Sequence, residues 1–368
     1  MQDLKTIAGL FDMRADFLTA RAYGSGHIND TYCAVYDQAG RQVRYIHQRI
    51  NHHVFKDPAA LMENIQRVTQ HSLQRLLDEN HPEAHRRTLV TISSTDGKPW
   101  ARDAEGNWWR TFPFIEGARG YDEIQDTRQA EEAAKAFGEF QKLTADLGGE
   151  RLHETIPHFH HTPKRLAALS SQAESAPKER LDRVGRELEF AFSRQDDCRI
   201  VTDLMEAGTI PERVTHNDTK LGNVLLDETT AEGVCVIDLD TTMPGSVLYD
   251  FGDMVRTICP TTREDEADLS RIDVRMDRFE ALTRGYLSSA SSFLLPAEIH
   301  HLAFSGKLLA LECGIRFLTD FLDGDRYFKI HRPDHNLDRC RAQFALVQAI
   351  EHRLQEMEDA VALHQPEH

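Results

Sequence analysis

Cysteine is scarce and never closely paired. The six cysteines, at positions 33, 198, 235, 259, 313 and 340, include no CxxC pair. Such spacing reads as free thiols in a reducing compartment rather than a disulfide framework. Long apolar runs are also missing. No stretch of about 18 uncharged apolar residues exists, so no membrane-spanning helix is expected. The N-terminal "MQDLKTIAGLFDMRADFL" is broken by charges and lacks the apolar centre of a secretory signal. These absences point to a cytoplasmic protein. Positive charge is in deficit too: 43 Lys and Arg face 60 Asp and Glu, a formal charge of −17. Nucleic-acid backbone and anionic membrane surfaces select the opposite sign, so neither is expected as a partner. A small cationic ligand remains compatible.

The chain has 368 residues, which is long for one core, and two lobes are expected. Residues 29–50 read as two strands joined by a turn at Asp37–Gly40. A helix follows, with Asp57 as N-cap and Pro58 in its first turn. Leu61, Ile65, Val68, Leu73, Leu76 and Leu77 recur at helical spacing along it. Two hairpin-like runs come next, "TLVTIS" turning at "STDGKP" and "AEGN" turning into "WWRTFPFI". The pattern changes at Glu116–Gly120. Ala130, Ala133, Phe137, Phe140 and Leu143 then mark one stripe of a helix. Residues 164–206 read as helical around a loop at "SSQAESAPKER", and helices are expected near 275–290, 296–322 and 336–363. The sum is an α+β architecture: a strand-rich N-lobe over 1–115 and a helix-rich C-lobe over 116–368. Internal repeats are absent, and a monomer or weak homodimer is expected.

The densest chemistry lies in "VTHNDTKLGNVLLD", Val214–Asp227, followed by "VCVIDLD" ending in Asp238 and Asp240. Phosphoryl transfer needs a group that orients the acceptor hydroxyl, a Mg²⁺ held on the phosphates, and a cation that offsets charge on the transferred group. The spacing His216-x-Asp218-x-Lys220-x-x-Asn223 supplies all three. Asp218 would take the hydroxyl proton and Lys220 would reach the γ-phosphate. Asn223 and Asp238 would offer hard oxygen ligands to Mg²⁺, with Asp240 as a neighbouring partner. Singly, an Asp or Asn beside a turn is most often a turn former; the combined spacing carries the reading. The "HFHH" run, His158–His161, has no accompanying cysteine or acid cluster and reads as a surface segment rather than a metal site.

His216–Asn223, "VIDLD" and "TTMPGSVLYDFGDMVR" resemble the aminoglycoside phosphotransferase and choline kinase branch of the protein-kinase-like fold. Protein kinases proper fit less well, because H-R-D, D-F-G and A-P-E are all missing. The resemblance implies an ATP- and Mg²⁺-dependent small-molecule kinase. It implies that Asp250 braces the catalytic loop and that "YGSGHINDTY", with Gly24, Ser25 and Gly26, covers the phosphates. It also implies a cation on the third strand, Arg49 or Arg44, paired with Glu63, and a hinge at "FPFIEG" that includes Phe114 and Glu116. Within the branch, "GSGHINDTY", "HQRINHHVFKDPAALMENI" and "ECGIRFLTDFLDGDRYFK" resemble the N-acetylhexosamine 1-kinases. That likeness implies a small-molecule sugar substrate phosphorylated at its anomeric 1-hydroxyl, with His27, Phe251, Arg316 and Tyr327 beside the sugar. Aminoglycoside, choline or homoserine is the alternative acceptor. Choline would want an aromatic cage, and all three tryptophans (100, 108 and 109) lie in the N-lobe.

Overall fold

The computed structural model describes residues 3–24, 26 and 28–365. An antiparallel five-stranded sheet fills the N-terminal part, in the order β1-β2-β3-β5-β4. Its strands are β1 (Asp16–Ala22), β2 (Asp30–Gln38), β3 (Arg41–Ile50), β4 (Ala101–Arg102) and β5 (Trp108–Pro113). The β2–β3 turn falls at Asp37–Gly40. Ala39 and Gly40 both take positive φ, 53° and 83°, the backbone that matches the twist of a two-residue hairpin. Strand β1 has no apolar alternation and escaped the sequence reading; within the sheet it pairs with β2. The "TLVTIS" run is extended but forms no named strand, and only the short β4 follows it.

Helix α1 (Pro58–Asp78) starts where expected. Asp57 accepts from Ala60 N at 3.0 Å, and Leu61, Ile65, Val68 and Leu76 are buried, while Leu77 is exposed. After β6 (Ala118–Arg119), helix α2 (Thr127–Thr144) buries its predicted stripe. Helix α3 (Thr162–Ser175) runs through the first half of the expected loop and stops only before Pro177. Four short strands then surround the motif: β7 (Arg213–Thr215), β8 (Val224–Asp227), β9 (Gly233–Val236) and β10 (Met243–Gly245). They are followed by α4 (Val247–Ile258), α5 (Met276–Ala290), α6 (Leu302–Asp323) and α7 (His335–Leu363). The helix expected over 296–322 is interrupted at His301, leaving Pro296–His300 as a separate turn before α6. One large apolar core runs from α1 through α2, α4, α5, α6 and α7. The architecture is α+β, with the motif strands between sheet and helices.

Candidate active site

The segment from His216 to Asn223 has almost no regular structure, so other elements must hold it. The first turn of α4 does most of this. Asp250 accepts from His216 N at 2.9 Å and Asn217 N at 2.7 Å. Asp253 accepts from Thr219 N at 2.9 Å, and the Thr219 hydroxyl donates to the Asp250 carbonyl at 2.6 Å. Burial pushes the Asp250 pKa up, against the pull of His216 and these amides. Gln141 on α2 donates to Asp250 at 2.7 Å and accepts from the Tyr286 hydroxyl at 2.5 Å. Asp250 therefore braces the loop as the sequence implied. His216 is buried. Its Nε2 lies 2.9 Å from the Ile237 carbonyl and its Nδ1 accepts from Asp218 N at 3.2 Å, so its ring carries the Nε2 proton and positions backbone.

The Asp218 carboxylate lies beside Lys220 and Asn223. Lys220 Nζ donates to its Oδ2 at 2.9 Å, and the Asn223 amide donates to the same oxygen at 2.9 Å. Burial works to raise the Asp218 pKa, but Lys220, His216 and Asn223 outweigh it and hold the carboxylate below its ordinary value. Asp218 is thus ionised and ready to accept a proton. Asn223 spends its nitrogen on Asp218, and among the described residues its amide oxygen has no hydrogen-bond donor. Asp238 sits at φ 60°, a left-handed conformation costly for a non-glycine residue. Its pKa is pushed up to about 6 by burial and by the negative charges of Asp240 and Asp218. A spare amide oxygen and a carboxylate crowded by like charge form a donor set that suits a hard divalent cation. The chemistry of these donors fits Mg²⁺, which Asn223 and Asp238 would hold.

Asp240 has a different place. Arg110 of β5 and Asn29 of the β1–β2 connection donate to its two carboxylate oxygens, the second at 2.6 Å. Arg110 is only 1% exposed, and Gln48 accepts from its Nε at 2.9 Å. Asp240 is an anchor between the sheet and the motif, not a free ligand. The expected Arg49–Glu63 pair does not form. Register explains this: Gln48 lies opposite Arg110 in β5 and Arg49 opposite Trp109, so Arg49 points to the other face, where it pairs with Asp30. Glu63 instead lies 3.0 Å from His153 Nε2. Arg44, the other candidate, pairs with Glu116 and stacks 3.8 Å over Phe114 at the connection after β5. Gly24 takes φ 83° and no described atom lies within 4 Å of a Cβ built there or on Gly26, so this turn is free to approach a ligand. Ser25 and His27 lie outside the described residues.

Two comparisons bear on this geometry. Residues 19–279 match the phosphotransferase enzyme family (APH), a span that contains every loop and motif residue named above. The chain belongs to that family. Solved structures share its fold over nearly its whole length. A spectinomycin phosphotransferase solved with ADP and spectinomycin aligns at TM-score 0.57 and 13% identity, covering 97% of this chain and 99% of the other. A microcompartment-associated aminopropanol kinase aligns at 0.54 and 16%, covering 96% and 98%. A choline/ethanolamine kinase family protein from Mesorhizobium loti aligns at 0.53 and 13%, covering 94% and 93%. The protein is a small-molecule phosphotransferase, α+β and protein-kinase-like.

The remaining expected residues of this phosphotransferase lie on the helical side. Arg316 on α6 lies beside two rings, its guanidinium carbon 5.1 Å from the Phe159 centroid and 5.5 Å from that of Phe328. It does not pair with Asp320, which instead accepts the backbone N–H groups of Arg326, Tyr327 and Phe328. Tyr327 is 65% exposed beside Phe328. Phe251 does not face any cleft: it is fully buried against Phe279 and Tyr286, because its helix turns Asp250 toward the loop and this ring into the core. His160, expected on the surface, is buried, and with Glu312 it was missed as part of the site. Its Nδ1 lies 2.7 Å from Glu312 and its Nε2 3.1 Å from the Asn217 carbonyl. Burial raises the Glu312 pKa, yet His160, Arg316 and the Thr162 hydroxyl bring it below its ordinary value. Among the described residues no helix is long and apolar enough to cross a membrane.

Proposed function

We propose that the protein is an ATP- and Mg²⁺-dependent kinase that phosphorylates the anomeric 1-hydroxyl of N-acetylhexosamines. Asp218 accepts the hydroxyl proton while Lys220 offsets charge on the transferred γ-phosphoryl group. Asn223 and Asp238 hold Mg²⁺, which neutralises the phosphate oxygens when bound. Gly24 and Gly26, with Ser25, cover the phosphates, and the segment with Phe114 and Glu116 receives the adenine. Arg316 and Tyr327 contact the sugar, with His27 as a third sugar-binding residue.

The observation that carries the acceptor class is Arg316. Its guanidinium lies over the Phe159 and Phe328 rings, 5.1 and 5.5 Å from their centroids, and its charge also acts on Glu312. It sits one helical turn from Glu312, which reaches the Asp218 loop through His160. A fixed guanidinium beside aromatic rings suits the hydroxyls, amide carbonyl and apolar face of an acetylated sugar. It repels an ammonium acceptor. A second reading, a cationic amino alcohol or aminoglycoside, is favoured by the net charge of −17 and by the acceptors of the fold relatives. ADP release measured across N-acetylglucosamine, N-acetylgalactosamine, glucose, galactose, choline, homoserine and kanamycin decides between them. Turnover confined to the acetylated hexosamines, with phosphate found at C1, is the expected outcome. Turnover on a cationic acceptor alone would overturn the role of Arg316.

A further inference from the structure

The loop that carries Asp218 is held by two separate segments. Asp250 takes the N–H groups of His216 and Asn217 from the α4 side. From the segment before α3, His160, whose ring lies 5.2 Å from that of Tyr249 on α4, meets the Asn217 carbonyl, at the peptide that leads directly into Asp218. Asn217 itself takes φ 65°, so this peptide is turned sharply and needs to be held. Both ring nitrogens of His160 face acceptors, a carboxylate and a backbone carbonyl, so both hydrogen bonds form only when the imidazole donates from each. Glu312 supplies the countercharge and is itself fixed by the Thr162 hydroxyl at 2.6 Å. His160 and Glu312 are 7% and 1% exposed, so neither is available to substrate. The neighbouring Phe159 lies under Arg316, four residues on from Glu312 along α6. One short strap thus touches the helix on the acceptor side and the loop that carries the base.

We propose that His160, clamped by Glu312, is a positioning residue: it fixes the Asn217–Asp218 peptide and so aims the Asp218 carboxylate at the acceptor hydroxyl. The inference rests on the reading of Asp218 as the proton acceptor. A small misplacement of such a group costs up to about 100-fold in rate. The test is a double-mutant cycle on the full chain. His160→Phe keeps a ring but removes both hydrogen bonds, and Glu312→Gln keeps shape but removes the charge. Turnover is read with the acceptor used fastest in the panel above, or as ATP hydrolysis by water if none is used. That choice keeps a wrong acceptor separate from a wrong role for His160. Each single variant is expected to lower kcat about 10- to 100-fold while ATP affinity, measured by calorimetry, stays unchanged. Combined with Asp218→Asn, either variant is expected to cause no further loss, because it acts through the group already removed. Undiminished kcat in a folded variant, or losses that multiply with that of Asp218→Asn, overturns the proposal. Should His160→Phe fail to fold, the Glu312→Gln cycle decides alone.

Discussion

Asp218 shares one carboxylate oxygen between the Lys220 ammonium and the Asn223 amide, both at 2.9 Å. Those two donors keep it ionised in a part-buried site. Replacing it with Asn preserves volume but removes the proton acceptor, so kcat is expected to fall by about 10²- to 10⁴-fold with little change in Tm. Turnover and thermal melts on the same preparation check this. Asp238 behaves in the opposite way. Its folded pKa is raised, so its contribution to stability is full below the unfolded carboxylate range and is lost as pH rises through about 6. In Mg²⁺-free buffer, Asp238→Asn is therefore expected to match the native protein near pH 4. At pH 7 it should be more stable by about 1–3 kcal/mol, allowing for cleft water around the group. It should also lose phosphotransfer. Denaturant titrations at the two pH values read the difference, and equal stabilities at pH 7 would contradict the crowding of carboxylates.

Helices α2 and α5 bring the elements around the loop into register. Gly285 of α5 lies against the backbone of Glu131 in α2, where an added Cβ would run into the Glu131 carbonyl oxygen. Since that neighbour is backbone, it cannot rotate away. Gly285→Ala is expected to destabilise the protein by about 1–3 kcal/mol or more through overpacking, despite the better helix propensity of alanine. Urea unfolding midpoints test it. Most helices here were legible because their apolar spacing and caps agree, as in α1 with Asp57 and Pro58. The polar "SSQAESAPKER" was read as loop, yet Thr162–Ser175 is helical: Leu169 is fully buried within it, and one well-packed position outweighs weak local pattern.

The sheet and the helical part are joined by a buried ion pair, Arg110 with Asp240, reinforced by Asn29. Removing one partner strands the other charge. Arg110→Met is expected to cost about 3–5 kcal/mol, while Arg110→Met with Asp240→Leu should recover much of that stability. Phosphotransfer should remain impaired in both, because Asp238 lies two residues from the anchor. Calorimetric unfolding of the single and double variants provides the comparison. A single variant as stable as the native chain would mean the pair does not tie the parts together.

Local spacing alone was enough to reveal the motif. His216, Asp218, Lys220, Asn223 and Asp238 lie within one loop and just past the next strand end, so residues near in sequence are near in space. The Asp250 brace was legible for the same reason, since it follows at short range on the next helix. Residues whose roles depend on distant partners were hidden. Arg49 or Arg44 was expected to pair with Glu63, and neither does, because strand register, set by the pairing of β3 with β5, decides which face a side chain takes. Phe251 was placed at a pocket because helix rotation is not written in a short motif. His160 and Glu312 are 152 residues apart and meet only because α6 packs beside the segment that leads into α3. The sequence by itself determined which polar groups the loop carries; the tertiary structure decided which charges meet, because burial and pairing depend on contacts between residues far apart in the chain.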